Sequence, residues 1–130
     1  MDLKGGSYLY RTGDVVCASY GDFEGTKRVG VFFIMYSEKQ DRTYSGNHSN
    51  YVCVKLTTNN FLGDGYTVKI NKGEANLEND CLVNVSKIHT FTHSQIYKLV
   101  GRMSEKMSMR IYKEYKRFQQ EMEEQMLELF

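Results

Sequence analysis

Proline is absent from all 130 residues. No φ is therefore locked and no backbone N–H is missing, so any strand residue can donate to a ladder. That permits sheet everywhere without specifying it. Long apolar runs are also lacking. The longest, Val31-Phe32-Phe33-Ile34-Met35, falls far short of the roughly 20 residues that cross a bilayer as a helix. The start, Met1-Asp2-Leu3-Lys4, has no apolar stretch of the kind that directs export. These features exclude a helical membrane protein and point to a cytoplasmic one. A strong charge of either sign is missing too. Seventeen Lys and Arg against sixteen Asp and Glu leave a net charge of +1, so a nucleic-acid partner must be held by a local patch. Cysteine is sparse: Cys17, Cys53 and Cys81 form no C-x-x-C pair. An odd count beside apolar neighbours reads as reduced, buried thiols. A zinc site made from the three and a histidine is the less favoured alternative, and no metal or other cofactor is expected.

What is present is ordinary for a globular chain, 41% hydrophobic and 25% charged. The length suits a single domain over 1–130, with a β-rich body at about 8–92 and a helical tail at about 94–130. Gly13-Asp14 opens a strand through Tyr20, and Gly21 to Gly25 reads as a loop. Lys27 to Ser37 is β-branched and aromatic enough to be a strand buried on both faces. The polar stretch from Glu38 to Asn50 is a long loop, and such loops are often functional. Tyr51 to Thr57 is a third strand and Asn59 to Gly65 a turn region. Tyr66 to Ile70 alternates, giving one wet face. Cys81 to Val85 is a further strand that Lys87 to Phe91 continues past a bend. Short strands separated by Gly, Asn and Asp turns indicate a small barrel or sandwich.

The tail reads as two helices. Ser94 caps a short one that Gly101 ends. Ser104 starts a long one in which Met107, Ile111, Tyr115, Phe118, Met122, Met126 and Leu129 form one apolar stripe. Its first half is basic (Lys106, Arg110, Lys113, Lys116, Arg117) and its second acidic (Glu121, Glu123, Glu124, Glu128). Acids at a C-terminus oppose the helix dipole, so that end should fray unless something packs on it.

The order of short motifs resembles the MazF/PemK (Kid) family of toxins over about residues 11 to 118. Gly13-Asp14-Val15-Val16 is similar to the family's opening. Gly25-Thr26-Lys27-Arg28 before Val31-Phe32-Phe33-Ile34 resembles its basic step into an apolar strand. Val54-Lys55-Leu56-Thr57-Thr58 looks like its strand ending in Ile-Thr-Ser. Leu77 to Val83, then Lys87-Ile88-His89-Thr90, and Ile96, Leu99 and Gly101 follow in the same order. Val29 stands where the family has proline, and His89 where it has arginine. The resemblance implies a mainly β fold with C-terminal helices: an SH3-like small β-barrel of the CcdB/MazF/Kid type plus a long amphipathic helix. It also implies a homodimeric endoribonuclease, an mRNA interferase, that cuts single-stranded RNA without a metal and is silenced by a cognate antitoxin.

Metal-free cleavage uses the substrate's 2′-OH as nucleophile, so the protein must align it, remove its proton and stabilise charge on phosphate. By the resemblance Arg28 and Thr57 are the catalytic pair. A guanidinium stays charged and forks onto phosphate oxygens, and a threonine hydroxyl can donate to phosphate or position the 2′-OH. Each also has a plain reading, as a surface arginine and a strand β-former. Lys27, Thr58 and Lys87 are candidate phosphate contacts, otherwise solvated side chains. Tyr20 and Phe23 are candidate stacking platforms, otherwise core or rim. His48, in the long loop, is a candidate proton acceptor. His89 and His93 are read as structural residues at the barrel–helix junction. Two alternatives stay open. A CcdB-like gyrase-targeting toxin would need a C-terminal tryptophan, and the chain contains none. A degenerate barrel would bind RNA or protein without cutting.

Overall fold

The computed structural model describes residues 10–21, 25–39, 49–58 and 65–130. Six strands form one antiparallel sheet. They are β1 (Asp14–Gly21), β2 (Lys27–Lys39), β3 (Ser49–Thr57), β4 (Thr67–Ile70), β5 (Cys81–Thr92) and β6 (Ile96–Arg102), followed by α1 (Glu105–Leu129). The spatial order is β4-β5-β3-β2-β1-β6. A 3₁₀ turn, Glu74–Asn76, brings the two outer strands together. Asn76 Nδ2 donates to the Val100 carbonyl at 3.1 Å, and a Cβ at Gly101 would collide with the Ala75 carbonyl. The sheet thus curls toward closure as a small barrel, mainly β with one C-terminal helix.

Alternation along the strands produces two cores. Val15, Phe33, Val54, Leu56, Val68, Ile70 and Val83 point to one face, where Met107, Ile111 and Tyr115 of α1 cover them. Val16, Ala18, Phe32, Ile34, Tyr51, Cys53, Phe91 and Ile96 form a second cluster on the other face, with Tyr10 and Tyr20 packed against it. Only the middle of β2 is therefore buried on both faces, from Phe32 to Met35, while Lys27 to Val29 are exposed. β5 bends as its sequence suggests. Val54 pairs with Ile88 but Leu56 with Val83, so two residues of β3 are answered by five of β5. Asn84 Oδ1 holds the bend by accepting from the Ser86 N–H at 2.9 Å and the Ser86 hydroxyl at 2.6 Å.

The region after β5 corrects the expectation of a helix at 94–101. Ser94 lies in a 3₁₀ turn, His93–Gln95, capped by Thr92, whose N–H donates to Gln95 Oε1 at 2.9 Å. Ile96, Leu99 and Val100 suit a helical face, but the open edge of β1 offers ladder partners, and β6 takes them from Asp14↔Arg102 to Ala18↔Ile96. Tertiary pairing here overrides local periodicity. The stripe on α1 starts where expected: Ser104 Oγ accepts from the Met107 N–H at 3.2 Å as an N-cap. Its first half is buried, Phe118 packs at the border, and Met122, Met126 and Leu129 are exposed on a helix that runs on to Leu129.

The Gly13-Asp14 opening locks this architecture. Gly13 has φ 96°, which an L side chain rarely adopts, and its carbonyl accepts from the Met103 N–H at 2.8 Å. Asp14 is buried; it accepts from Arg102 Nη1 at 2.8 Å and from the Arg11 N–H at 2.9 Å. Removing the carboxylate strips two bonds made to a charged acceptor. Asp14→Ala is expected to lower stability by about 2–3 kcal/mol in urea unfolding, with the same slope.

Candidate nucleic-acid interface

At one end of the second core, burial gives way to a polar face shared by β1, β2, β3 and β5. Tyr20 pairs with Arg28 and Ala18 with Gly30; Phe32 pairs with Lys55. Residues directly opposite, and those two apart, share a face. Tyr20, Arg28, Gly30 and Lys55 therefore point the same way, and Thr57, two residues after Lys55, joins them. Val31 pairs with Leu56, so extending that register by one residue sets Thr57 opposite Gly30. Arg28 and Thr57 are then diagonal neighbours with Cα atoms roughly 7–8 Å apart, which suits two groups on one phosphate. Both also make contacts within the fold.

Lys55 is the centre of this face. Its Nζ donates to the Tyr20 hydroxyl at 2.8 Å and lies 5.2 Å from that ring's centroid. The stem reaches from β3 to β1 by crossing β2 at Gly30. A Cβ there would come 3.0 Å from the Phe32 ring and 3.3 Å from Lys55 Cε. Glycine is thus the residue that leaves the path open.

His89, opposite Cys53 on β5, borders the same face. Its ring centroid lies 5.1 Å from Phe32 and 5.5 Å from Tyr20, and it stacks on Phe91 at 5.9 Å with 13° between planes. It is on the side away from α1, which corrects the expectation of a barrel–helix junction. Burial pushes its pKa below 6.5, and the positive charges of Lys55 and Lys87 push the same way. The imidazole is therefore neutral at pH 7. Lys87, exposed, lies two residues before it on the same strand. The Cys53 thiol beneath is pushed up to about 12 by burial and donates to the Tyr51 carbonyl at 3.6 Å, so it is not a nucleophile at neutral pH.

Of the residues singled out in the sequence, Tyr20, Arg28, Thr57 and Lys87 come together. Lys27 and Thr58 do not, because one step along a strand reverses the face. Lys27 falls on the opposite side of β2 from Arg28. Thr58 lines a cavity of about 450 Å³ with Val31, Leu56, Asn76 and Val100. Phe23 and His48 lie outside the described residues. Lys55 and His89, which stood inside quoted motifs without being named as site residues, also belong to the cluster. The signal that finds Lys55 is period two: it lies two residues before Thr57 in an otherwise apolar strand. A larger cavity, about 700 Å³, lies between α1 and the β5 bend, lined by Ile88, Tyr115, Phe118 and Met122. It belongs to the helix side of the sheet, away from Arg28. Among the described residues no three His, Cys, Asp or Glu side chains are grouped to hold a metal ion, and no helix is long and apolar enough to cross a membrane.

Comparison with solved structures places the architecture. An endoribonuclease from a mycobacterial species, solved in complex with its cognate antitoxin, superposes with a TM-score of 0.58 over 82% of this chain and 91% of its own. This chain shares its fold with an endoribonuclease. The two sequences are 16% identical, so the likeness is one of architecture. No protein-family model matches the sequence, and no curated protein matches it either.

The electrostatics of His89 give a stability test. The folded chain keeps this imidazole neutral to lower pH than the unfolded chain does, so the unfolded state binds more protons in that window. The stabilising contribution is complete above pH 6.5 and is lost as pH falls through the folded pKa. Urea midpoints compared at about pH 7.5 and about pH 5.5 should fall less in His89→Phe, which keeps the ring packing without the titration, than in the parent. Equal falls would contradict the assignment.

Proposed function

We propose that this protein is a metal-independent endoribonuclease of the MazF/PemK kind, cutting single-stranded RNA by attack of a 2′-OH on the adjacent phosphate. The observation that carries the reading is the common face of Arg28, Lys55 and Thr57, on a fold shared with an endoribonuclease. In this reading Arg28 and Lys55 hold the phosphate oxygens, and the Arg28 guanidinium meets the charge that builds as phosphorus becomes five-coordinate. Thr57 donates to a phosphate oxygen or orients the 2′-OH. Tyr20, half-buried at the rim, offers its ring to an unpaired base, and Lys87 extends the backbone track. Specificity for RNA over DNA follows from chemistry, since DNA lacks the nucleophile. This local basic face suits a chain whose net charge is only +1.

The partners follow the same reading. A cognate antitoxin would restrain the enzyme in the cytoplasm, where the three thiols stay reduced, and the active form would be a homodimer folded as one domain per chain. Met122, Met126 and Leu129, exposed on the outer half of α1, and Phe130 just past its end offer apolar surface for such contacts.

Arg28→Ala and Thr57→Ala should each reduce cleavage of single-stranded RNA by about 100-fold or more while leaving the thermal midpoint nearly unchanged. Sequencing of fragment ends from the unaltered protein should reveal a cyclic phosphate and a free 5′-OH. Full activity in both variants, or products ending otherwise, would reject the proposal.

A further inference from the structure

We infer that His89 is the group that takes the 2′-hydroxyl proton when RNA is cut at this face. The inference rests on the ribonuclease reading above and deepens it. In-line attack needs a base, and the other described side chains of the face are poor ones. Arg28, Lys55 and Lys87 offer positively charged donors, and the uncharged hydroxyls of Thr57 and Tyr20, the latter already accepting from Lys55 Nζ, are weak proton acceptors. Asp14, the carboxylate of β1, lies at the far end of its strand, buried against Arg102. His93 is also remote, with Nδ1 3.3 Å from the Tyr51 hydroxyl and its ring against Tyr10. His89 alone among these groups combines a place beside the cationic cluster with a neutral ring nitrogen at pH 7.

The surroundings suit that task. Phe91 stacks under the imidazole, and Phe32 and Tyr20 meet it edge-on, which fixes the ring plane. The titratable groups facing it are Tyr20 from β1, Lys55 and Cys53 from β3, and Lys87 from its own strand. Burial, with the charges of Lys55 and Lys87, holds the base unprotonated, and the same two charges draw the phosphate in. The step balances without another reagent. The 2′ oxygen forms its bond to phosphorus as its proton passes to the imidazole. The bond from phosphorus to the 5′ oxygen breaks, that oxygen takes a proton from water, and His89 later releases its own to solvent.

The test measures the pH dependence of kcat on saturating single-stranded RNA for the parent, His89→Gln and Lys87→Met, together with binding of an uncleavable 2′-deoxy oligonucleotide. The parent should lose kcat on the acid side as His89 protonates. His89→Gln should retain oligonucleotide binding, fall about 100-fold or more in kcat and lose that acid limb. Lys87→Met, which removes a neighbouring positive charge, should move the limb to higher pH. It supplies the decisive readout should His89→Gln fail to fold. A His89→Gln profile with the limb intact, or a limb unmoved in Lys87→Met, would overturn the role of His89 and leave the ribonuclease reading standing. Absence of any cleavage by the parent would overturn that reading, and this inference with it.

Discussion

An ammonium donated across one strand to the next but one holds the candidate site together. Lys55 starts on β3, crosses Gly30 of β2 and ends on the Tyr20 hydroxyl of β1. The contact fixes a positive charge within reach of both Arg28 and Thr57 and places an aromatic ring at the rim. It also sets a charge beside His89. The arrangement depends on a missing side chain, because a methyl at position 30 would press on both Lys55 and the Phe32 ring. A β-sheet usually keeps long side chains over their own strand and its neighbours. Here the glycine opens a channel that lets three strands act as one surface.

The remainder of the fold keeps this face rigid. The second core beneath it is made of Phe32, Ile34, Cys53 and Phe91, all buried, so the exposed residues stand on a packed floor. The sheet is drawn closed on its other side by the Glu74–Asn76 turn against β6 and by Asp14 against Arg102. α1 fills the first core and carries its apolar stripe outward past the barrel. Arg117 ties that helix to the start of β4, donating to the Gly65 carbonyl at 3.2 Å and lying 4.7 Å from the centroid of the Tyr66 ring. The Lys55 cluster and the apolar stripe of α1 thereby lie on opposite faces of one sheet.

Much of this was legible in the sequence because period and punctuation agree with the fold. The alternation of Thr67–Ile70, the bend between Val85 and Lys87, the Ser104 cap and the buried half of the α1 stripe all follow from local rules. The 94–101 segment did not, because its apolar spacing fits a helix as well as a strand, and the partner that decides, β1, is about 80 residues away in sequence. The site was legible in part for the same reason. Arg28, Thr57, Lys55 and His89 all sit in recognisable motifs, but Lys55 and His89 acquire their place at the site only when β1, β2, β3 and β5 lie side by side. Lys27 and Thr58 fall off this face, since neighbours in sequence alternate across a sheet.

The most direct test of the face itself is to titrate isotopically labelled protein with a single-stranded 2′-deoxy oligonucleotide, which lacks the nucleophile, and to follow amide and side-chain NMR signals. Shifts are expected to concentrate at Tyr20, Arg28, Lys55, Thr57 and His89, with the signals of Met122 to Leu129 unmoved. Shifts confined to α1 and the β5 bend, with the Lys55 cluster silent, would contradict it.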